Sequence, residues 1–361
     1  MTRLLLATEI PAPYRLPLFN ALAARDDIEL EVVYLHERNP QRPYELHADE
    51  QRFSATTLRG THLARGSRWL VLNRGVLPLM RRLRPDVVLL GGWSQPAFWT
   101  LLLAARAARI PVLAWVESTA RDERSGTTLL EHAKHAFLRA CTGFVVPGTA
   151  SAEYLAALGV PASRITVAPN AVDPTVFATA AERAETGPVT ILNVGRLDPE
   201  KGVDVAIRAV GRLRGEVRLV VAGTGREEGA LRALADHVVP GRVDFLGFVP
   251  RDDLPALYAA ADVYVLPSRS EQWGMTLNEA ALAGLPLVAS DAAGGTYDLV
   301  EDGVNGFRVP AGDADALAAA LQRLVDDGEL RKAAGAESRR IGARFTPEAW
   351  AAAVSARVTG G

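Results

Sequence analysis

Short apolar runs alternate with longer amphipathic stretches twice over, with a non-periodic break between the two series. Alternation of this kind builds parallel sheets with helices on both faces. The first series places strands at 3–8, 29–34, 86–90, 111–116 and 143–147, with helices at 17–24, 96–108 and 150–158. The second places strands at 189–194, 218–222, 242–246, 262–267, 286–290 and 306–309. Its helices fall at 203–213, 227–237, 254–260, 275–283 and 314–325. The break at 170–188 is rich in Pro, Ala, Thr and Glu, as suits an interdomain linker. The expected fold class is α/β, with two doubly wound domains facing each other across a cleft. Ligands of open α/β sheets bind outside the carboxyl ends of the strands, so the cleft is where chemistry is expected.

A chain of 361 residues also exceeds the roughly 250–300 over which one core grows. The expected division is 1–170 and 171–345. Charge divides similarly: 20 basic against 15 acidic residues over 1–170, and 20 against 27 beyond, for a net −2. An apolar content of 48% excludes a disordered, highly charged chain. The single cysteine, Cys141, excludes a disulfide scaffold and a cysteine-based zinc site. Only Lys134, Lys201 and Lys332 are lysines, so the cations are almost all arginine. With so much alanine, that reads as coding bias, and no nucleic-acid partner is expected. Residues 1–10 do not resemble a signal peptide. Arg106, Arg109 and Pro111 interrupt the apolar stretch 101–115. A soluble, cytoplasmic protein is expected.

Two glycine turns are candidates for holding phosphate. Strand 189–194 runs into Gly195-Arg196-Leu197-Asp198-Pro199-Glu200-Lys201-Gly202, and a helix follows. Arg196 offers a planar fork and Lys201 a compact charge; the bland alternative is a solvated surface turn. The rarity of lysine favours a function for Lys201. Gly223-Thr224-Gly225, with Gly229 beyond, is one residue longer than the dinucleotide fingerprint. It reads equally as an ordinary strand–helix turn.

The segment from Glu271 to Glu279 is more informative. Glu271 follows a buried strand, Gly274 opens a helix, and Glu279 lies more than a turn inside it. Amides near Gly274, Met275 and Thr276 would face the cleft at the positive end of that helix. Carboxylates accept bonds from hydroxyls, and amides favour phosphate. Alternatively these are a first-turn acid and a solvated glutamate. Glu279, however, is flanked by Ala280, Ala281, Leu282 and Ala283, which argues for burial with a partner.

Glu271 and Glu279 resemble the E-x7-E motif of retaining glycosyltransferases of family 4, which have the GT-B fold of two Rossmann-like domains. Gly195-Arg196-Leu197-x3-Lys201-Gly202 is similar to that family's diphosphate segment. Pro169-Asn170-Ala171-Val172-Asp173 with Phe177 resembles its interdomain stretch, with Ala171 where glycine is usual. Ala283-Gly284-Leu285-Pro286-Leu287-Val288-Ala289-Ser290 and Glu301-Asp302-Gly303-Val304-Asn305-Gly306 complete the pattern, which covers about 145 to 345.

The resemblance implies a donor side in 171–345 and an acceptor side in 1–170. It makes Arg196, Lys201 and Glu271 the catalytic set: the cations neutralise a departing diphosphate, and Glu271 holds the transferred sugar. Gly195, Gly223, Arg251, Trp273, Gly274, Met275, Thr276 and Glu279 would bind the donor, Glu279 through ribose and Arg251 near the base. The segment 346–357, with Pro347 and Trp350, resembles a closing helix that returns to the first domain. The implied activity is a hexosyltransferase-type retaining transfer from a nucleotide-diphosphate sugar, in polysaccharide or glycoconjugate biosynthesis. The acceptor would be a glycan, a lipid-linked sugar or a small molecule. No metal, cofactor or protein base is implied. Asp313-Ala314-Asp315 reads as a helix N-cap, and Glu131-His132-x-x-His135 lacks the zinc order.

Two departures lie in the first half. The loop after the first strand carries Pro11, Pro13, Tyr14 and Arg15 where glycines are usual. Glu117 stands where the family often has a sugar-contacting His, either as a hydroxyl acceptor or as a structural partner of Arg121 or Arg124. Trp93 and Gln95 end the neighbouring strand and, with Glu117, Tyr14 and Arg15, are candidate sugar or acceptor contacts. Between 51 and 85 there are eight arginines and no acid, with apolar residues interleaved. This reads as a basic helix packed on the domain, in competition with an anionic-acceptor site or a peripheral contact with the inner membrane face. Competing functions are a nucleotide-sugar isomerase or epimerase using Glu117, or a non-catalytic sugar-nucleotide binder. A dinucleotide oxidoreductase is disfavoured by the Gly223 turn length.

Overall fold

The computed structural model describes residues 1–37, 48–65, 68–121, 128–178 and 187–360. Strands in the first half are β1 (Thr2–Thr8), β2 (Ile28–Tyr34), β3 (Ser54–Thr57), β4 (Gly60–Arg65), β5 (Arg68–Asn73), β6 (Val87–Leu90), β7 (Val112–Trp115), β8 (Gly143–Val146) and β9 (Ile165–Val167). The second half holds β10 (Val189–Val194), β11 (Val217–Ala222), β12 (Val243–Gly247), β13 (Val263–Leu266), β14 (Leu287–Ser290) and β15 (Gly306–Val309). Two parallel sheets result, in the orders β3-β2-β1-β6-β7-β8-β9 and β12-β11-β10-β13-β14-β15. Both reverse direction of winding beside their first strand. The loops after β1 and β6, and after β10 and β13, therefore open at the two switch points where such sheets bind ligands.

Strands β1, β6, β7 and β8 are buried on both faces, as the continuous apolar sequence requires. The helix Pro347–Thr359 crosses back to the first domain, as expected. Trp350 is fully buried with its ring 5.2 Å from that of Trp115, and Ser355 Oγ donates to Asp27 at 2.6 Å. One apolar cluster thus runs from Leu4 and Phe19 through Trp350 to Trp273 and Leu277. Asp313 caps the helix Ala314–Asp326, its carboxylate accepting from the amides of Asp315 and Ala316.

The basic stretch 51–85 departs from the helical expectation. It forms β3, then an antiparallel β4–β5 hairpin separate from both large sheets, and only then the helix Val76–Leu83. Burial alternates with the strand period along Leu70, Val71 and Leu72, with Val71 buried and its neighbours exposed. Gly75 (φ 83°) turns the chain into that helix, and Pro78 is tolerated because it lies in the first turn. The helix Gly328–Gly342 and the short β9 were also not anticipated.

Candidate active site

The β10 loop and the β13 loop meet at the second switch point. Lys201 ends a short 3-10 turn after β10, and its ammonium contacts the Glu271 carboxylate, with both side chains under one-fifth exposed. Arg196 points more to solvent, its guanidinium held by Asp198 and, at 3.0 Å, by Glu200. Both predicted cations are therefore balanced by acids in the unliganded chain. Behind them, Leu197 N–H donates to Thr224 O at 2.9 Å and Gly223 N–H to Gly247 O at 2.7 Å. The Gly223 turn thus buttresses the Gly195 loop from beneath. No protein atom lies within 4 Å of where a Cβ on Gly195 would sit. That side of the loop backbone is open.

Gly274 (φ 95°) opens the helix Met275–Leu282. Thr276 Oγ1 accepts from the buried Tyr264 hydroxyl at 2.5 Å. Trp273 is buried, and its indole N–H donates to Asn278 Oδ1 at 2.7 Å. Glu279 accepts from the Tyr258 hydroxyl at 2.7 Å. Burial pushes its carboxyl up to about 7, against the pull of that hydrogen bond and of Arg251. Arg251 itself reaches across the cleft, 3.0 Å from both carboxylate oxygens of Glu50.

On the first-domain side, a cavity of about 240 Å³ is lined by Tyr14, Arg15, Trp93, Glu117 and Lys134, and closed by Gln272 of the second domain. Glu117 does not pair with Arg121. It lies 3.4 Å from Arg15 and accepts from Asn170 Nδ2 at 3.1 Å, while Arg121 binds Asp291 at 2.6 Å. Arg124, the other expected partner, lies outside the described residues. Arg15 also stacks over the Trp115 ring at 4.5 Å. Gln95 turns away from the cavity: it is buried, accepting from Val71 N–H at 2.9 Å and donating to Glu9 at 2.8 Å. Its role is to anchor the hairpin.

Several residues in this arrangement were not anticipated. Lys134 is buried at the cavity wall, 4.9 Å from the Tyr154 ring; its only sequence signal is the scarcity of lysine. Asn278 donates to Asn170 O at 3.0 Å, tying the interdomain segment to the helix Met275–Leu282. Asp298 caps the first-domain helix Thr149–Ala157, accepting from Thr149 N–H at 3.0 Å and its hydroxyl at 2.7 Å. These contacts hold the domains together on both sides of the cleft. Among the described residues, no group of His, Cys, Asp and Glu is placed to hold a metal ion.

Two doubly wound sheets joined at a cleft and closed by a returning helix make up the GT-B fold. HepE of Anabaena, solved with UDP and glucose, has a TM-score of 0.78 to this chain at 19% identity, over 100% of both chains. The lipopolysaccharide outer core galactosyltransferase WaaB, in its apo form, has a TM-score of 0.77 at 19% identity over 99% of both.

Sequence comparison carries the assignment further. The profile described as glycosyl transferases group 1 matches residues 178–341, and that of glycosyltransferase family 4 matches 18–176. Alpha-D-kanosaminyltransferase of Streptomyces kanamyceticus is 31% identical over 292 residues, 73% of each chain. Glycogen synthase of Mycobacterium tuberculosis is 34% identical over 274 residues, 72% of this chain and 65% of that enzyme. The chain thus spans slightly less than two thirds of that relative's length. It belongs to the group 1 glycosyltransferases.

Proposed function

We propose that the chain is a retaining glycosyltransferase that moves a sugar from a nucleotide-diphosphate donor to an acceptor hydroxyl, without a resident metal. The observation that carries this reading is the Lys201–Glu271 pair beside the amino end of the helix Met275–Leu282. An arriving diphosphate would draw Lys201 and Arg196 from their acids, leaving Glu271 to accept from the sugar hydroxyls. Glu279 would take the ribose hydroxyls, and Arg251 would lie near the base. Transfer breaks the bond between the anomeric carbon and the phosphate oxygen, whose electron pair leaves with the diphosphate. The acceptor oxygen bonds to that carbon on the same face, and its proton passes to the departing phosphate. Fixed cations and amides stabilise the developing negative charge.

The acceptor would enter through the cavity at Tyr14, Trp93 and Glu117. An isomerase would need a proton-transfer group there. Glu117 is engaged by Arg15 and Asn170, which supports transfer over isomerisation. A thermal-shift and hydrolysis screen with uridine, guanosine, adenosine and thymidine diphosphate sugars tests the reading. A donor at 100 times its Kd should stabilise the protein by about 2.7 kcal/mol. No shift and no hydrolysis with any of them would remove the proposal.

A further inference from the structure

The β4–β5 hairpin and the helix Val76–Leu83 leave a surface that neither the fold nor the cleft uses. Leu63 pairs with Leu70 and Thr61 with Leu72, so these four residues share one face of the hairpin. That face is turned outward: Leu63, Leu70 and Leu72 are 49%, 42% and 47% exposed, and Leu77 of the adjacent helix is 47% exposed. Val71, on the opposite face, is fully buried, so the leucines are not the inward side of a strand. Three exposed leucines sharing one hairpin face, with Leu77 exposed on the helix that follows, are the kind of apolar surface that marks an interaction site.

Arginines accompany the leucines. Arg59, Arg74 and Arg82 line a concavity of about 670 Å³ between the hairpin and the helix, together with Thr56, Thr57 and Thr61. Arg81 and Arg84 are exposed on the same segment. None of these five arginines makes an ion pair with a described residue, whereas Arg3, Arg15, Arg121, Arg196, Arg251 and Arg269 all do. No acid lies between 51 and 85 to balance them. The charge excess of the first half is therefore concentrated beside its exposed leucines.

We infer that this face docks on an anionic lipid bilayer. The leucines enter the boundary between headgroups and acyl chains, and the arginines meet lipid phosphates, three of them in the concavity. No helix among the described residues is long and apolar enough to cross a membrane, so this contact is peripheral. Gln95 bonds the backbone of Val71 to Glu9, which lines the cleft cavity. The hairpin that carries the docking face is thus tied through Gln95 to a residue of the cleft cavity. The inference stands whichever donor the enzyme uses.

Flotation of the full chain with phosphatidylcholine vesicles, and with vesicles half phosphatidylglycerol, tests it. Binding to the second kind only, weakened by salt, is expected. Neutralising Arg59→Gln and Arg82→Gln together should weaken binding about 25-fold, since each cation near the surface contributes about fivefold. Leu70→Ser with Leu72→Ser should also release the protein, and exposed positions leave its melting temperature unchanged. Failure to float, or flotation that ignores both pairs of substitutions, overturns the inference. Soluble glycerol 3-phosphate is the control for a simple phosphate site. Stabilisation by it without flotation would likewise replace the bilayer with a small ligand.

Discussion

The ammonium of Lys201 rests on the carboxylate of Glu271, 70 residues further along the chain and on the loop of a neighbouring strand. Strand β10 delivers one and β13 the other, and these strands are adjacent across the switch point of the second sheet. The pair holds a cation and an anion together with little net charge, and in the proposed function a ligand bearing both phosphate and hydroxyls separates them.

Lys201→Ala should therefore lower kcat by about 10²–10³, the cost of removing one donor to a developing anion. Glu271→Gln should lower turnover too, by weakening the hold on the sugar. Because each residue partners the other, the double variant should be less impaired than the product of the single effects. Circular dichroism should match the parent, while each single variant should melt somewhat lower because it leaves its largely buried partner unpaired. Full transfer activity in Lys201→Ala would sink the assignment.

Much of this site was legible because its residues sit at fixed offsets from recognisable strands. The strand at 189–194 is observed with those bounds; the loop after it carries Arg196 and Lys201, the loop after β13 carries Glu271, and the helix that follows carries Glu279. What could not be read came from distant partners. Glu117 looked equally suited to Arg121, four positions on, but the fold brings Arg15 and Asn170 to it and sends Arg121 to Asp291. Gln95 looked like a cleft residue by its place after a strand, yet the hairpin it anchors captures its amide. The hairpin itself was masked by arginine-rich composition, in which Leu70, Val71 and Leu72 form a continuous apolar run whose alternating burial appears only in the fold.

Two glycines of the loops after β10 and β11 should respond differently to alanine. A Cβ on Gly195 meets no protein atom within 4 Å, so Gly195→Ala should fold as well as the parent. It should nonetheless weaken donor binding by about tenfold or more, roughly 1.4 kcal/mol, if the diphosphate approaches that backbone. Gly223 has φ 141°, and its Cβ would lie 1.8 Å from Gly195 O. Gly223→Ala should be strongly destabilised before any ligand is added. Isothermal titration beside thermal melts separates the two. Equal donor affinity in Gly195→Ala and the parent would exclude close approach there.

Glu279 gives stability a pH dependence of definite sign. Its folded carboxyl keeps its proton up to about 7, whereas the unfolded chain releases it near 4.5. The native state therefore binds more protons between those values, and stability should fall as pH rises through that window. Glu279→Gln removes the titration while keeping an oxygen for the Tyr258 hydroxyl. The variant should melt higher than the parent above pH 7, by about 1–3 kcal/mol, and converge with it in acid. It should also bind donor more weakly, because an amide is a poorer acceptor for ribose hydroxyls. A parent whose stability relative to the variant is flat from pH 5 to 8 would contradict this placement.

Asp298 joins the two domains by capping a helix that belongs to the other one. Its carboxylate takes both the Thr149 amide and the Thr149 hydroxyl, and burial raises its pKa from the ordinary value. Glu50 and Arg251 make a second bridge between the domains, and Arg121 and Asp291 a third. The cap joins a carboxylate to a neutral amide and hydroxyl rather than to a cation, so screening by salt should affect it least of the three. Asp298→Ala should cost about 1 kcal/mol, as loss of an N-cap does, and should loosen the interdomain seam. Small-angle scattering should then report a larger radius of gyration for the unliganded variant, restored by donor. A variant as compact as the parent, with unchanged stability, would show that the cap does not hold the cleft closed.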